Sequence, residues 1–272
     1  MTLLKQRVHG VGDLYISPNG LLLPGINRAT DGVNKIGLKF WAAKVEREHM
    51  LNVAATEFEL SAQAGGKSGE VFRARLAEAA GNLACTRKAT EALDAGTQAR
   101  QFIDWWLRGR LPGASREAEP VVSDTALLLG YAFEYWAQER KLMPVVVQQP
   151  IFNEADGYVA QTVTVMTRPT GPIVLEIATG KEIYTETMII AAANLQAAKQ
   201  AGIPVKGAII IRIPKEEGDF KLEPKIMTPA ELEQHLHLFY LYMGIWQTNT
   251  GYTKPIRITN PPTAPQQVAN AG

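Results

Sequence analysis

Only one cysteine, Cys85, and four histidines, His9, His49, His235 and His237, occur in the 272 residues. A single thiol excludes an internal disulfide framework and any multi-cysteine zinc or iron–sulfur centre. No two histidines have the spacing of a zincin helix, so a histidine-built metal site is not expected. Excess charge is lacking too. Lys and Arg number 28 against 27 Asp and Glu, leaving +1. That balance neither demands nor forbids nucleic acid, because a basic patch can sit on a neutral surface. No charged start leads into a long apolar segment, so neither a signal peptide nor a membrane span is expected and a cytoplasmic location follows by default. There is no internal repeat. The chain does have 46% hydrophobic and 20% charged residues, as globular proteins do, and enough length for a large core.

The amino-terminal part reads as a hairpin, Leu14-Tyr15-Ile16 and Leu21-Leu22-Leu23-Pro24 about a Ser17-Pro18-Asn19-Gly20 turn. Residues 35–48, with Ile36, Leu38, Phe40, Trp41 and Val45, fit an amphipathic helix. Gly65-Gly66-Lys67-Ser68-Gly69 has the lysine and serine of a phosphate loop, but Ser61 stands where its first glycine belongs and no apolar strand precedes it, so a plain loop is expected. Residues 71–80 and 87–109 read as helices, and 111–120 as a Pro/Gly-rich connection. Ser123 or Asp124 caps a further helix to about Arg140.

The heart of the pattern is 149–199. It reads as strand (158–166), a turn with Gly171 and Pro172, strand (173–178) and helix (185–199). In the second strand, Ile173-Val174-Leu175-Glu176-Ile177-Ala178, one carboxylate interrupts an apolar run that suits burial on both faces. Strands at 205–213 and 220–226 follow a stop at Gly202 and Pro204. A charged turn at 215–218 joins them. Thr228-Pro229-Ala230-Glu231 is a capping box opening a helix to about Trp246. The expected fold is α/β: a mixed central sheet of four or five strands flanked by helices. The expected division is a hairpin and helical part (1–120), an α/β core (121–258) and a disordered Pro/Gln/Asn-rich tail (259–272).

Four stretches carry a resemblance. They are Leu23-Pro24-Gly25-Ile26-Asn27 with Lys35-Ile36-Gly37-Leu38-Lys39-Phe40-Trp41-Ala42; Ala95-Gly96-Thr97-Gln98-Ala99-Arg100; Gly157-Tyr158-Val159-Ala160-Gln161-Thr162-Val163; and Leu175-Glu176-Ile177-Ala178-Thr179-Gly180-Lys181-Glu182-Ile183-Tyr184. In this order, over about residues 14–200, the chain resembles the PD-(D/E)XK nuclease superfamily, in particular the RecB-like and Cas4-like exonucleases of actinobacterial phages. The resemblance implies a restriction-endonuclease-like core. It also implies phosphodiester hydrolysis by magnesium held on carboxylates, with a lysine beside the attacking water; hard oxygen ligands are what that metal requires.

The pattern's first acid falls on Val163, its second is kept as Glu176, and its lysine falls on Ala178. The helical histidine falls on Arg100 and the upstream acid on Gln148 or Gln149. The glutamine and tyrosine of the next helix fall on Ile190 and Asn194. The implied function is therefore a catalytically inactive nuclease-like protein, without cofactor, that binds DNA or a protein partner in phage recombination or defence. Arg100, Arg108, Arg110 and Lys181 are the expected phosphate contacts. The alternative is an active magnesium-dependent DNA exonuclease with a shifted site. Glu176 would be its metal ligand, Lys181 would stand in for the lost lysine, and Asp156 and Glu134 would be spare carboxylates. Against Asp156, about seven strand residues separate it from Val163, roughly 20 Å at 3.3 Å per residue. A second alternative is a phage structural or assembly scaffold docking through the aromatic helix around Trp105 and Trp106.

Overall fold

The computed structural model describes residues 3–30, 45–56, 58–59, 84–115, 117–214 and 221–258, with 84–95 as backbone alone. Trp41 and the first ten residues of its expected helix, the 65–69 loop, the 71–80 helix, the 215–218 turn and the 259–272 tail lie outside them. The chain divides into two compact units, 1–33 with 96–272, and 34–95. In the smaller unit, 45–56 are helical.

In chain order the elements are β1 (Lys5–Val8), β2 (Gly12–Ile16), β3 (Leu21–Leu23), α1 (Ile26–Thr30), α2 (Ala84–Arg108), α3 (Asp124–Glu139), β4 (Met143–Asn153), β5 (Tyr158–Thr167), β6 (Ile173–Thr179), α4 (Thr185–Gln200), β7 (Ala208–Ile213), β8 (Glu223–Ile226), α5 (Pro229–Thr250) and β9 (Ile256–Arg257). The architecture is mixed α/β, as the sequence implies. A small antiparallel sheet runs β1-β2-β3-β9, and a five-stranded mixed sheet runs β4-β5-β6-β7-β8. Only β6 and β7 are parallel, joined through α4; the other pairs are antiparallel.

Strand alternation decides which residue meets which helix. On β6, Ile173, Leu175 and Ile177 pack with Phe102, Ile103, Trp106 and Leu107 of α2 and Leu129 and Phe133 of α3. Val174 and Ala178 point to the other face, into a cluster with Ile189, Ala193 and Leu195 of α4, Phe239 and Met243 of α5 and Ile26 of α1. The central strand is thus covered on both sides, which is why its run is almost wholly apolar. Glu176 shares the parity of Val174 and Ala178.

The helix starts follow their chemistry. The Ser123 side chain accepts the Ala126 N–H, and Thr228 and Glu231 form the reciprocal box with Pro229 inside it. α5 continues one turn past Trp246 to a left-handed Gly251. β7 starts at Ala208, three residues later than its apolar character implies. β1 and β9 have no strong sequence signal, and both take their place by pairing with β2 and β3.

One irregularity positions the site. β5 pairs with β6 only through Thr164–Leu175, Val165–Val174 and Met166–Ile173. Beyond Leu175, β6 stays with β7 as far as Thr179, whereas 158–163 of β5 stay with β4. The two strands therefore splay apart beside Glu176. Part of the opening is taken by the segment leaving the small sheet: Val159 N–H donates to Pro24 O at 2.8 Å, and Gly25 bridges Val159.

Candidate functional site

Glu176 is 7% exposed, at the centre of the large sheet where β5 and β6 part. Its Oε2 accepts the Asn194 Nδ2 at 3.0 Å from α4. Arg100, on α2 across the sheet, donates from Nη1 to Ile177 O at 3.4 Å. Burial pushes the Glu176 carboxyl up to about 7, against the lowering effects of the Arg100 charge, the Asn194 amide and the Ile177 N–H. The two positions flanking it in the resemblance are closed by hydrocarbon. Val163 is fully buried, Ala178 nearly so, and both belong to the apolar cluster on that face.

A second carboxyl approaches from the helix side. Asp104 lies one turn after Arg100 on α2 and is half-buried, and its Oδ1 is shut from solvent without a partner. Burial raises its pKa, opposed by Arg100, Arg108 and the nearby Gln148 amide. Its charge in turn raises Glu176, so the two acids feel each other and share Arg100 between them. Gln148 comes near Asp104 because β4 is bulged: its register against β5 shifts between Val146 and Gln149, and Gln148 takes a φ of 50°. A left-handed non-glycine residue inside a strand is strained, and here the bulge aims the amide inward. Its backbone N–H and Nε2 both reach Thr164 Oγ1, at 3.2 and 3.4 Å.

Where the resemblance would set a lysine, the surroundings are already cationic. Ala178 is opposite Arg212 of β7, which donates to both Glu223 oxygens at 2.9 and 2.8 Å and to Gly180 O at 3.2 Å. Lys181 lies past the end of β6, exposed on the connection to α4. Arg108 pairs with Glu117 at 3.3 Å. Arg110 pairs with Glu134 at 3.2 Å while lying 3.8 Å over the Trp106 ring. Of the residues read as phosphate contacts, Arg100 is therefore at Glu176, whereas Arg108 and Arg110 are held by acids of the α2–α3 side.

The spare carboxylates are engaged elsewhere. Asp156, in the β4–β5 turn, accepts from Asn153, Gln196 and Tyr240 at 2.8, 3.3 and 2.7 Å. Glu134 accepts from Arg110 and from Gln138 at 2.8 Å. Among the described residues, no three His, Cys, Asp or Glu side chains are grouped to hold a metal ion.

No protein-family model matches the chain, and no curated protein matches it significantly. The site's chemistry must therefore be read from its own residues. Among the described residues, no helix is long and apolar enough to cross a membrane.

Sequence reasoning missed Asp104, Arg212 and the role of Thr164. The two charged residues had a faint signal. Asp104 is the acid within Phe102-Ile103-Asp104-Trp105-Trp106-Leu107, and Arg212 the cation within Ile209-Ile210-Ile211-Arg212-Ile213. A charge in an apolar run needs a partner, which was the argument applied to Glu176 alone. The Gln148 backbone had no such signal, since no glycine marks the bulge.

Proposed function

We propose that this chain is a catalytically silent PD-(D/E)XK-like protein that works by binding, with nucleic acid as its ligand. The ordered motifs support the family reading, together with the arrangement around them: three antiparallel strands, a crossover helix and a parallel fourth strand, splayed where the one retained acid sits. The surroundings of Glu176 carry the loss of catalysis. A magnesium site needs several ionised or carbonyl oxygens turned to one point. Here Val163 and Ala178 offer none, the Asn194 amide occupies Oε2, and Arg100 opposes a second cation.

The test is to incubate the pure protein with magnesium or manganese and end-labelled single-stranded and duplex DNA, and to titrate binding between about 50 and 200 mM salt. The expected outcome is binding that weakens steeply with salt, and no cleavage. Cleavage that disappears in Glu176→Ala would overturn the silent reading, and no binding even at low salt would remove nucleic acid as the ligand.

One observation favours a second reading, an active nuclease with a rebuilt site: the Asp104 carboxyl supplied from α2 within electrostatic reach of Glu176. On that reading cleavage requires metal and is lost in both Asp104→Asn and Glu176→Gln. Absence of metal-dependent cleavage by the parent protein ends it.

A further inference from the structure

We propose that the corner of the large sheet beyond α3 binds a small apolar molecule carrying a single carboxylate. α3 stops at Glu139, and Lys141 takes a left-handed φ of 52° that turns the chain directly into β4. The helix thus ends short of the corner where β6 and β7 begin and β8 finishes. A groove of about 410 Å³ opens there, lined by Leu142, Ile173, Ile209 and Ile226 together with Arg140 and Arg168. That volume is in the roughly 300–1,000 Å³ range of small-molecule sites. Ile226, at the end of an edge strand, is 62% exposed and gives the groove an apolar lip.

The two arginines define what the occupant must carry. Arg140 donates to Glu139 at 2.6 Å and to Trp136 O at 3.5 Å, so much of its charge is already answered. Arg168 differs. Among the described residues its guanidinium has no hydrogen-bond or ion-pair partner, and its Nε is shut from water with no acceptor. Among the described residues, no Asp or Glu lines the groove to supply one. A half-buried guanidinium left without an acceptor is costly, and its planar fork is matched by a carboxylate. The mostly hydrocarbon walls disfavour a heavily hydrated polyanion such as a nucleotide. They suit an aliphatic chain whose one anionic end meets Arg168, a ligand class independent of whether the chain binds nucleic acid at Glu176.

Sodium decanoate is the probe, titrated below its micellar range into the full chain with backbone amide shifts and calorimetry as readouts, and decanol as the uncharged control. The expected result is saturable binding with shifts centred on Leu142, Ile173, Ile209 and Ile226. Decanol should bind at least tenfold more weakly. Arg168→Met, which keeps the apolar stem, should weaken decanoate at least tenfold. Ile226→Asp, at an exposed position on the lip, should do the same. Equal binding of decanol, full affinity in Arg168→Met, a response that does not saturate, or an apolar peptide preferred over decanoate at the same residues would each overturn the proposal.

Discussion

At the residue scale the informative group is Glu176, because its environment makes the fold sensitive to pH in a direction opposite to a salt-bridged acid. An ordinary glutamate releases its proton near 4.5, whereas in the folded chain burial holds it to about 7. The folded state therefore binds more protons than the unfolded state across this window, and stability falls as pH rises through it. The contribution is fully present below about 4.5 and lost above about 7, a difference on the order of 3 kcal/mol at most. Glu176→Gln keeps an oxygen for the Asn194 amide and removes the ionisation. It is expected to be more stable than the parent at pH 8 by roughly 1–3 kcal/mol and nearly equal to it at pH 4. Urea unfolding at the two pH values checks this. Asp104 is raised for the same reason and contributes a slope of the same sign in the variant. A variant that gains nothing at pH 8 would mean that Arg100 keeps Glu176 ionised at little cost. The lone acid on β6 was legible in the sequence. The resemblance also set Arg100 and Asn194 at positions of the site; Asp104 was not legible, because the facing of its helix is set only by tertiary packing.

At the scale of elements, the same residue type has opposite effects on two helices. Gly130 of α3 faces α2 so closely that a Cβ there would lie 2.1 Å from Phe102 Cδ1 and 2.8 Å from its Cγ, a ring that is buried and edge-on to Tyr131. Gly244 of α5 has nothing within 4 Å of the same added atom. Helix propensity favours alanine over glycine by about 1 kcal/mol at both sites. Overpacking against a fixed ring costs about 1–3 kcal/mol and prevails only at the first. Gly130→Ala should lower stability by up to about 2 kcal/mol and Gly244→Ala should raise it by about 0.4–1 kcal/mol, read from denaturant midpoints at constant slope. The sequence showed where these helices start, because Ser123 and Thr228 are capping residues with local partners. It showed the β2–β3 hairpin through its turn residues, where the Ser17 N–H donates to Leu21 O at 2.8 Å. It did not show that α2 and α3 touch at Gly130, since a glycine that permits close approach looks the same in sequence as one with open space around it.

At the scale of the whole molecule, the question is whether the small sheet and the large sheet of the 1–33 and 96–272 unit unfold together. Among the described residues, bonds between them include Val159 N–H to Pro24 O at 2.8 Å, Gln161 Nε2 to the Tyr15 hydroxyl at 2.6 Å and Asn19 Nδ2 to Glu154 Oε2 at 2.9 Å, and the buried Tyr252 hydroxyl, past the end of α5, donates to Leu22 O of the small sheet. The expected α/β architecture and the strands β5, β6 and β7 were legible because each of those is a local apolar run. The second sheet was not, because β1 and β9 are short and exposed and become strands only by pairing with a hairpin from which β9 is more than two hundred residues distant in sequence. The Tyr252 hydroxyl, between α5 and β9, ties that closure to the helix whose Phe239 and Met243 pack on the large sheet. Tyr252→Phe removes the hydroxyl, withdraws a donor from the Leu22 carbonyl inside the small sheet, and should cost about 1–2 kcal/mol. If the sheets form one cooperative unit, native-state hydrogen exchange in the variant will lose equal protection at Leu14 of β2 and Leu175 of β6. Loss at Leu14 with Leu175 unchanged would mean that the small sheet opens by itself. In that case the segment Pro24–Gly25, which occupies part of the splay beside Glu176, would open with it and give the site a second, more accessible state.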